Sequence, residues 1–249
     1  MIAPAPALTP RQRLSRLAHL WKAATQRHHA GMEPWLARLI PADTTVIDAG
    51  AHAGQFAKLF ARLAPQGQVW AFEPAAYARS ILVPALRLSG AANVRVVAAG
   101  LSDAPGTATL ETPLKRRGSL GFGLAGIGAA TARGDAGRAE TIVLTTLDAF
   151  AAAEGLTRLD FLKADVEGWE IRLLAGGSDT LARFRPALLL ELVGASLARA
   201  GDRPDDAWRL LSPLGYRARK LVDEQPKAQW LDSFAGDADY LFVHGGRAE

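Results

Sequence analysis

Cysteine is absent from all 249 residues, which removes disulfides, zinc–thiolate sites, iron–sulfur clusters and cysteine nucleophiles together. Any chemistry must come from oxygen and nitrogen groups. Long apolar runs are missing too: no stretch approaches the ~20 residues of a bilayer-spanning helix. The opening MIAPAPALTPRQRLSRL lacks an apolar run of signal-peptide length, so a cytoplasmic location is expected. No internal repeat is visible, which sets repeat architectures aside.

What is present reads as a soluble globular chain, 49% hydrophobic and 22% charged, long enough for one α/β domain. Net charge is +4 and the isoelectric point about 9.7, which invites a nucleic-acid reading. The basic residues are scattered, however, with Lys115-Arg116-Arg117 the densest group, and no aromatic stacking series accompanies them. No nucleic-acid partner is expected.

Residues 1–10, rich in proline and alanine, are expected to fray. A helix is predicted from Arg11 to Arg27, with Leu14, Leu17, Leu20, Trp21 and Ala24 on its apolar face, and a shorter one from Pro34 to Ile40. This N-terminal cap, residues 1–41, either covers the core, makes a homodimer contact or docks peripherally on an anionic membrane.

From residue 42 to 249 a single domain is predicted. Strands at Val46–Asp48, Val69–Phe72 and Val94–Ala98 alternate with helices at Gly54–Leu63 and Tyr77–Leu88, the βαβαβ rhythm of a parallel, doubly wound sheet. Residues 104–146 break it as an antiparallel excursion, with strands at Thr107–Glu111 and Thr141–Thr146 around the glycine-rich GSLGFGLAGIG at 118–128. That tip is either an acceptor lid or a disordered hairpin end. Alternation resumes with the strand Phe161–Ala164, a helix Trp169–Phe184 interrupted at Gly176-Gly177, the strand Ala187–Leu190 and the helix Asp205–Leu211. A hairpin of Tyr216–Val222 and Tyr240–Val243 closes the chain, giving seven sheet strands plus an insertion.

The stretch VIDAGAHAGQF, Val46 to Phe56, carries the ligand question, because α/β sheets bind ligands beyond the carboxyl ends of their strands. A dinucleotide fingerprint counted from Gly50 needs glycines at 52 and 55, where this chain has His52 and Gln55. A G-x-x-x-x-G-K-[ST] phosphate loop is also missing. What remains is D-x-G-x-x-x-G, formed by Asp48, Gly50 and Gly54. Twenty-five residues beyond Asp48, the second strand ends in VWAFEP at Glu73, where a carboxylate accepts both ribose hydroxyls. Asp48 adds a negative charge that repels phosphate. An adenosine ligand without phosphate but with positive groups meets both constraints, and S-adenosylmethionine, leaving S-adenosylhomocysteine, is that ligand. The plain alternatives are a helix-capping acid at Asp48 and a solvated loop acid at Glu73.

Further motifs follow in order: Asn93-Val94, AAGLSD at 98–103, TLDAF at 146–150 and LDFLKADVEGWEIRLLAGG at 159–177. With VIDAGAHAGQF and VWAFEP, these resemble the FkbM family of S-adenosylmethionine-dependent methyltransferases, whose hallmark is similar to the K-x-D-x-E-G-x-E run of Lys163, Asp165, Glu167, Gly168 and Glu170. The resemblance runs from about Thr45 to Leu190. It implies a class I methyltransferase fold, a Rossmann-like three-layer sandwich on a mostly parallel seven-stranded sheet with an antiparallel last strand. It also implies O-methylation of hydroxyls on sugars, glycans or natural-product small molecules. His52 departs from the family, which more often has Asn there.

The expected cofactor contacts are Asp48, Gly50, Ala51, His52, Gly54, Glu73, Pro74, Ser102, Asp103 and Asp165, with Asp103 near the adenine or serving only as a turn acid. Methyl transfer to a poorly nucleophilic alcohol needs alignment and proton removal. Asp165, at the end of the fourth strand, is the first candidate for proton removal or acceptor positioning, or else caps the next helix; Glu191 and His52 come second. Asp165 and Glu191 also have the chemistry to hold magnesium, although no metal is expected. Glu167 and Glu170 suit the first turn of a helix, and Lys163 a buried pairing with a carboxylate. Cytosine C5 chemistry is excluded by the missing cysteine, adenine N6 chemistry by ADVEG in place of Asp/Asn-Pro-Pro-aromatic, and the lysine-bearing ribose tetrad by Glu191. A cofactor-binding, non-catalytic interaction module is the alternative from another class.

Overall fold

Val46 and Ile47 adjoin in the chain and are both fully buried, yet they join different cores. Phe161 and Leu162 split in the same way, as do Leu188 and Leu189. Successive side chains of a strand point to opposite faces, so a sheet whose both faces are apolar must be covered twice, as parallel sheets are. The computed structural model describes residues 10–26, 28–112, 126–127 and 138–246. The expectations for residues 1–9, for Lys115-Arg116-Arg117 and for most of the glycine-rich 118–128 tip lie outside the described residues.

In chain order the elements are α1 (Pro10–Thr25), α2 (Glu33–Leu39), β1 (Thr45–Ala49), α3 (Gln55–Leu63), β2 (Gln68–Phe72), α4 (Ala76–Leu88), β3 (Val94–Val97), β4 (Gly100–Leu101), β5 (Gly106–Thr112), β6 (Gly126–Ile127), β7 (Arg138–Thr145), α5 (Leu147–Ala153) and β8 (Phe161–Ala164). Then come α6 (Glu170–Ala175), α7 (Ser178–Phe184), β9 (Ala187–Leu192), α8 (Gly194–Ala200), α9 (Asp206–Leu211), β10 (Tyr216–Val222), β11 (Gln225–Pro226) and β12 (Ala238–His244). The main sheet runs β11-β10-β12-β9-β8-β1-β2-β3. Pairing is parallel from β3 to β9, and β12 is antiparallel to both β9 and β10. This is the three-layer α/β architecture with an antiparallel last strand that the family resemblance implies, and strand order reverses beside β1.

The sheet has an eighth strand where seven were expected. β10 turns through Asp223-Glu224 and pairs back for two residues only, a length that leaves no periodic signal. The excursion is a separate sheet ordered β4-β7-β5-β6, with β5 and β7 antiparallel as expected. Helices α5 and α8, seven residues each, were not read from the sequence. α5 starts where Thr146 accepts the Ala149 N–H at 3.0 Å, a cap that ends the preceding strand and begins the helix at one residue.

α1 also corrects an expectation. Leu17 and Trp21, on its predicted apolar face, are 55% and 69% exposed, whereas Ala23 is buried. Ala23 packs with Ile81 and Ala85 of α4, with Leu20 and Tyr77 against them. A small residue at the crossing lets two helices approach closely, so the contact forms on the alanine side. α2 lies deeper: Trp35 and Leu36 share one core with Val46, Phe60 and Phe161.

Candidate active site at the strand ends

The ends of β1, β2 and β8 surround a cavity of about 300 Å³. The β1–α3 loop forms one wall. Gly50 has φ +77°, and a Cβ there would lie 1.8 Å from the Asp165 carbonyl oxygen, so only glycine lets this loop lie against the end of β8. Gly50 and Ala51 donate N–H bonds to the Phe72 carbonyl at 3.0 and 2.9 Å, locking the loop to β2.

Glu73 directly follows β2 and faces this loop. One carboxylate oxygen accepts the His52 N–H and the other the Ala75 N–H, both at 2.8 Å. Burial outweighs these bonds and pushes the carboxyl up to about 7. A carboxylate has about four lone-pair sites, so two remain for hydroxyls in the cavity.

Asp48 and Lys163 are register partners on β1 and β8 and project to the same face, which is why two charges meet inside the protein. Lys163 Nζ lies 3.5 Å from Asp48, 3.3 Å from Asp165 and 3.2 Å from the Gly50 carbonyl. It ties the loop to the end of β8. Burial opposes its charge, but Asp165 and Asp48 together outweigh burial and raise the ammonium above its usual range. Asp48, fully buried, is pushed upward by burial, which Lys163 only partly offsets.

Burial alone would raise Asp165 as well. Lys163 and a hydrogen bond with Glu191 overcome it and hold Asp165 below the usual carboxylate range. Glu191 is driven to about 8 by burial and then by Asp165, with Asp239 and Glu167 adding to it. At neutral pH Glu191 therefore keeps its proton and donates it to Asp165. Asp239, opposite Glu191 on β12, is raised to about 6 by burial and then by Asp165. Glu167, at φ +55°, is raised to about 7 by burial and then by Asp165. Glu170 is buried, and its Oε1 accepts the Val166 and Gly168 N–H groups at 2.9 and 3.3 Å.

Among the expected residues, Gly50, Ala51, His52, Glu73, Pro74 and Asp165 border the cavity, whereas Asp48, Gly54, Ser102, Asp103 and Glu191 lie outside its wall. Ser102 was expected to contact the cofactor, and Asp103 either to lie near the adenine or to serve only as a turn acid. Instead, Ser102 accepts the Trp169 indole N–H at 3.0 Å and donates to Asp103 at 2.9 Å, while Asp103 pairs with Arg172 at 3.4 Å. The wall there is Ala99, Gly100 and Leu101, an apolar surface suited to a base ring. His52 is driven down to about 4, chiefly by burial, so it is neutral at pH 7. The sequence reading missed His29, Phe56, Tyr77 and Trp169 in the wall. Of these, His29 comes from the N-terminal link and carries no local motif.

The cavity fits S-adenosylmethionine in three respects: a loop whose glycine excludes a Cβ, a buried carboxylate with lone pairs to spare, and an apolar end. The donor set fits magnesium poorly. The Lys163 ammonium, 3.3 Å from Asp165, occupies the neighbourhood that a cation on this carboxylate would need. No helix among the described residues is long and apolar enough to cross a membrane.

Comparison with known proteins gives this geometry a family. The model for the methyltransferase FkbM domain matches residues 48–218. A methyltransferase of Sordaria araneosa, sdnD, is 29% identical over 159 residues, 55% of this chain and 61% of the relative's own length. A solved methyltransferase FkbM from Methylobacillus flagellatus KT superposes with a TM-score of 0.51 at 13% identity, covering 92% of this chain and 59% of that one. The chain thus spans about three-fifths of each relative, and the structural likeness speaks for the fold. With more than half of its length matched by the domain model, the chain belongs to the FkbM methyltransferase family.

Proposed function

We propose that this chain is an S-adenosylmethionine-dependent O-methyltransferase acting on a hydroxyl of a sugar, a glycan or a natural-product small molecule. The observation that carries the reading is Glu73, buried at the end of β2, anchored by two backbone amides and facing a cavity closed on its other side by Gly50 and Asp165. When bound, S-adenosylmethionine supplies a methyl carbon activated by its sulfonium.

The chain's own groups then divide the remaining work. Glu73 holds the ribose hydroxyls, and the β1–α3 loop, fixed by Lys163 and Asp48, orients the methionine end. Asp165, with Glu191 behind it as a hydrogen-bond donor, accepts a hydrogen bond from the acceptor hydroxyl and aims its oxygen at the methyl carbon. Its depressed pKa makes Asp165 a good anchor but a weak proton acceptor.

The test is transfer of labelled methyl from S-adenosylmethionine to extracts rich in sugars, glycans and small natural products, with products resolved by mass spectrometry. Transfer to a hydroxyl oxygen, lost in Asp165→Ala while S-adenosylhomocysteine still binds, supports the reading. Tight S-adenosylhomocysteine binding without transfer to any extract favours a non-catalytic module. Label on nitrogen or carbon overturns the O-directed assignment.

A further inference from the structure

His29 borders the same cavity, and its surroundings are built with unusual backbone effort. Its Nδ1 lies 3.3 Å from Glu224 Oε1, and its ring stacks on Phe56 with centroids 4.0 Å apart and planes 17° from parallel. The ring is thus fixed by a carboxylate on one edge and an aromatic face against its plane. Lys163 Nζ lies 5.1 Å from the same Phe56 ring, which connects this corner to the Asp165 side of the cavity.

Glu224 is itself held from several directions. Its second oxygen accepts the Gly31 N–H at 3.0 Å, and its carbonyl accepts the Trp35 indole N–H at 2.8 Å. A Cβ on Gly31 would lie 2.5 Å from Glu224 Oε2, so a larger residue would push the carboxylate away. The turn that presents Glu224 is a two-residue hairpin between the paired Val222 and Gln225. Asp223 and Glu224 both sit in the left-handed region, at φ +50° and +59°, where such turns favour Asn-Gly. His29 is left-handed as well, at φ +58°. Three non-glycine residues in that region each cost on the order of 1 kcal/mol. These are three of the six non-glycine residues at positive φ among the described residues, the others being His52, Glu167 and Arg185.

We infer that His29 and Glu224 form a catalytic dyad in which Glu224 orients the imidazole and His29 removes the proton of the acceptor hydroxyl. This rests on the hydroxyl-acceptor reading above. With Nδ1–H donated to Glu224, the unprotonated nitrogen is Nε2, on a ring that borders the cavity. The acceptor O–H bond breaks toward Nε2 as the oxygen bonds the methyl carbon and the carbon–sulfur bond breaks. The sulfonium charge is neutralised as the imidazolium forms, and the imidazolium then gives its proton to solvent.

The groups facing His29 agree with that role. Burial lowers it, Glu224 pulls it back up, and His28 and Lys163 push it down, for a net fall below the usual histidine value. The ring is neutral, and so able to accept a proton, at pH 7. Both dyad residues lie outside the 48–218 stretch that matches the family, so the segments flanking that stretch provide them.

The experiment uses the full chain and the extract fraction that accepts label from the wild type. His29→Gln is expected to lose 100-fold or more in single-turnover transfer, the range of a missing general base, with S-adenosylhomocysteine affinity within threefold. His29→Gly, which the left-handed backbone accommodates, is expected to regain turnover when imidazole is added, an effect that a structural role would not produce. Glu224→Gln is expected to move the acidic limb of the pH–rate profile downward. Transfer by His29→Gln within threefold of wild type, or no imidazole rescue in a His29→Gly protein that still binds S-adenosylhomocysteine, overturns the dyad and leaves the O-methyltransferase reading standing. A wild type that labels no hydroxyl in any fraction overturns both.

Discussion

Cofactor affinity should depend on pH through Glu73, and the size of the effect follows from its surroundings. Burial raises this carboxyl to about 7 although two backbone amides at 2.8 Å favour the ionised form. The ribose hydroxyls are donors, so the cofactor binds the ionised form, and the apparent affinity scales with the ionised fraction. That fraction is about nine-tenths at pH 8 and about 3% at pH 5.5, so binding should weaken roughly 30-fold over this range. Calorimetry with S-adenosylhomocysteine from pH 5.5 to 8, in buffers of different ionisation enthalpy, reads both the affinity and a proton released near pH 6. Glu73→Gln should bind weakly throughout, by about 2 kcal/mol or roughly thirtyfold, and should lose the slope. Glu167→Gln, which removes another carboxyl raised to about 7, should keep it. Affinity that stays flat in the wild type, or an unchanged slope in Glu73→Gln, would refute the ribose assignment.

Three further outcomes test the scaffold. Glu170 is raised to about 7, chiefly by burial, so its contribution to stability is fully present below about pH 4.5 and is lost as pH rises through 7; Glu170→Gln, whose amide oxygen keeps both loop N–H bonds, should flatten the decline of urea midpoints across that window. Lys163→Met leaves Asp48 buried without its counter-ion and should cost about 3–5 kcal/mol in urea denaturation, and adding Asp48→Asn should recover at least half of the loss. Phe60→Ala removes a fully buried ring tilted against Phe161 at 5.5 Å and should cost about 3–5 kcal/mol, read from the same curves.

Much of the wall of the candidate site was legible in the chain. The pattern around Val46–Phe56 required a strand, an acid and two glycines, and the next strand required a carboxylate at its end. Strand periodicity and the rule that ligands sit at carboxyl ends place Gly50 and Glu73 on one cavity before any coordinates exist. The seven principal sheet strands and the antiparallel close were readable for the same reason, because their apolar runs are long enough to carry a period. Two-residue β11 and seven-residue α5 and α8 were not, since a period cannot be counted over so short a span. The burial of Ala23 in place of Trp21 was also hidden, because a helix shows its apolar face in sequence but not which side its neighbour will touch.

Sequence alone determined the fold class, the exclusion of thiol and phosphate-loop chemistry, and the identity of the residues at the first two strand ends. Those are consequences of composition and local spacing. Only the tertiary structure decided that Lys163 joins Asp48 to Asp165, that Glu191 keeps a proton beside Asp165, and that Ser102 and Asp103 turn away toward Trp169 and Arg172. Only it brought His29 to Glu224, 195 positions later in the chain. Protonation states depend on burial and on charges from several elements at once, and a pair so far apart in sequence exists only when the sheet edge and the N-terminal link fold against each other.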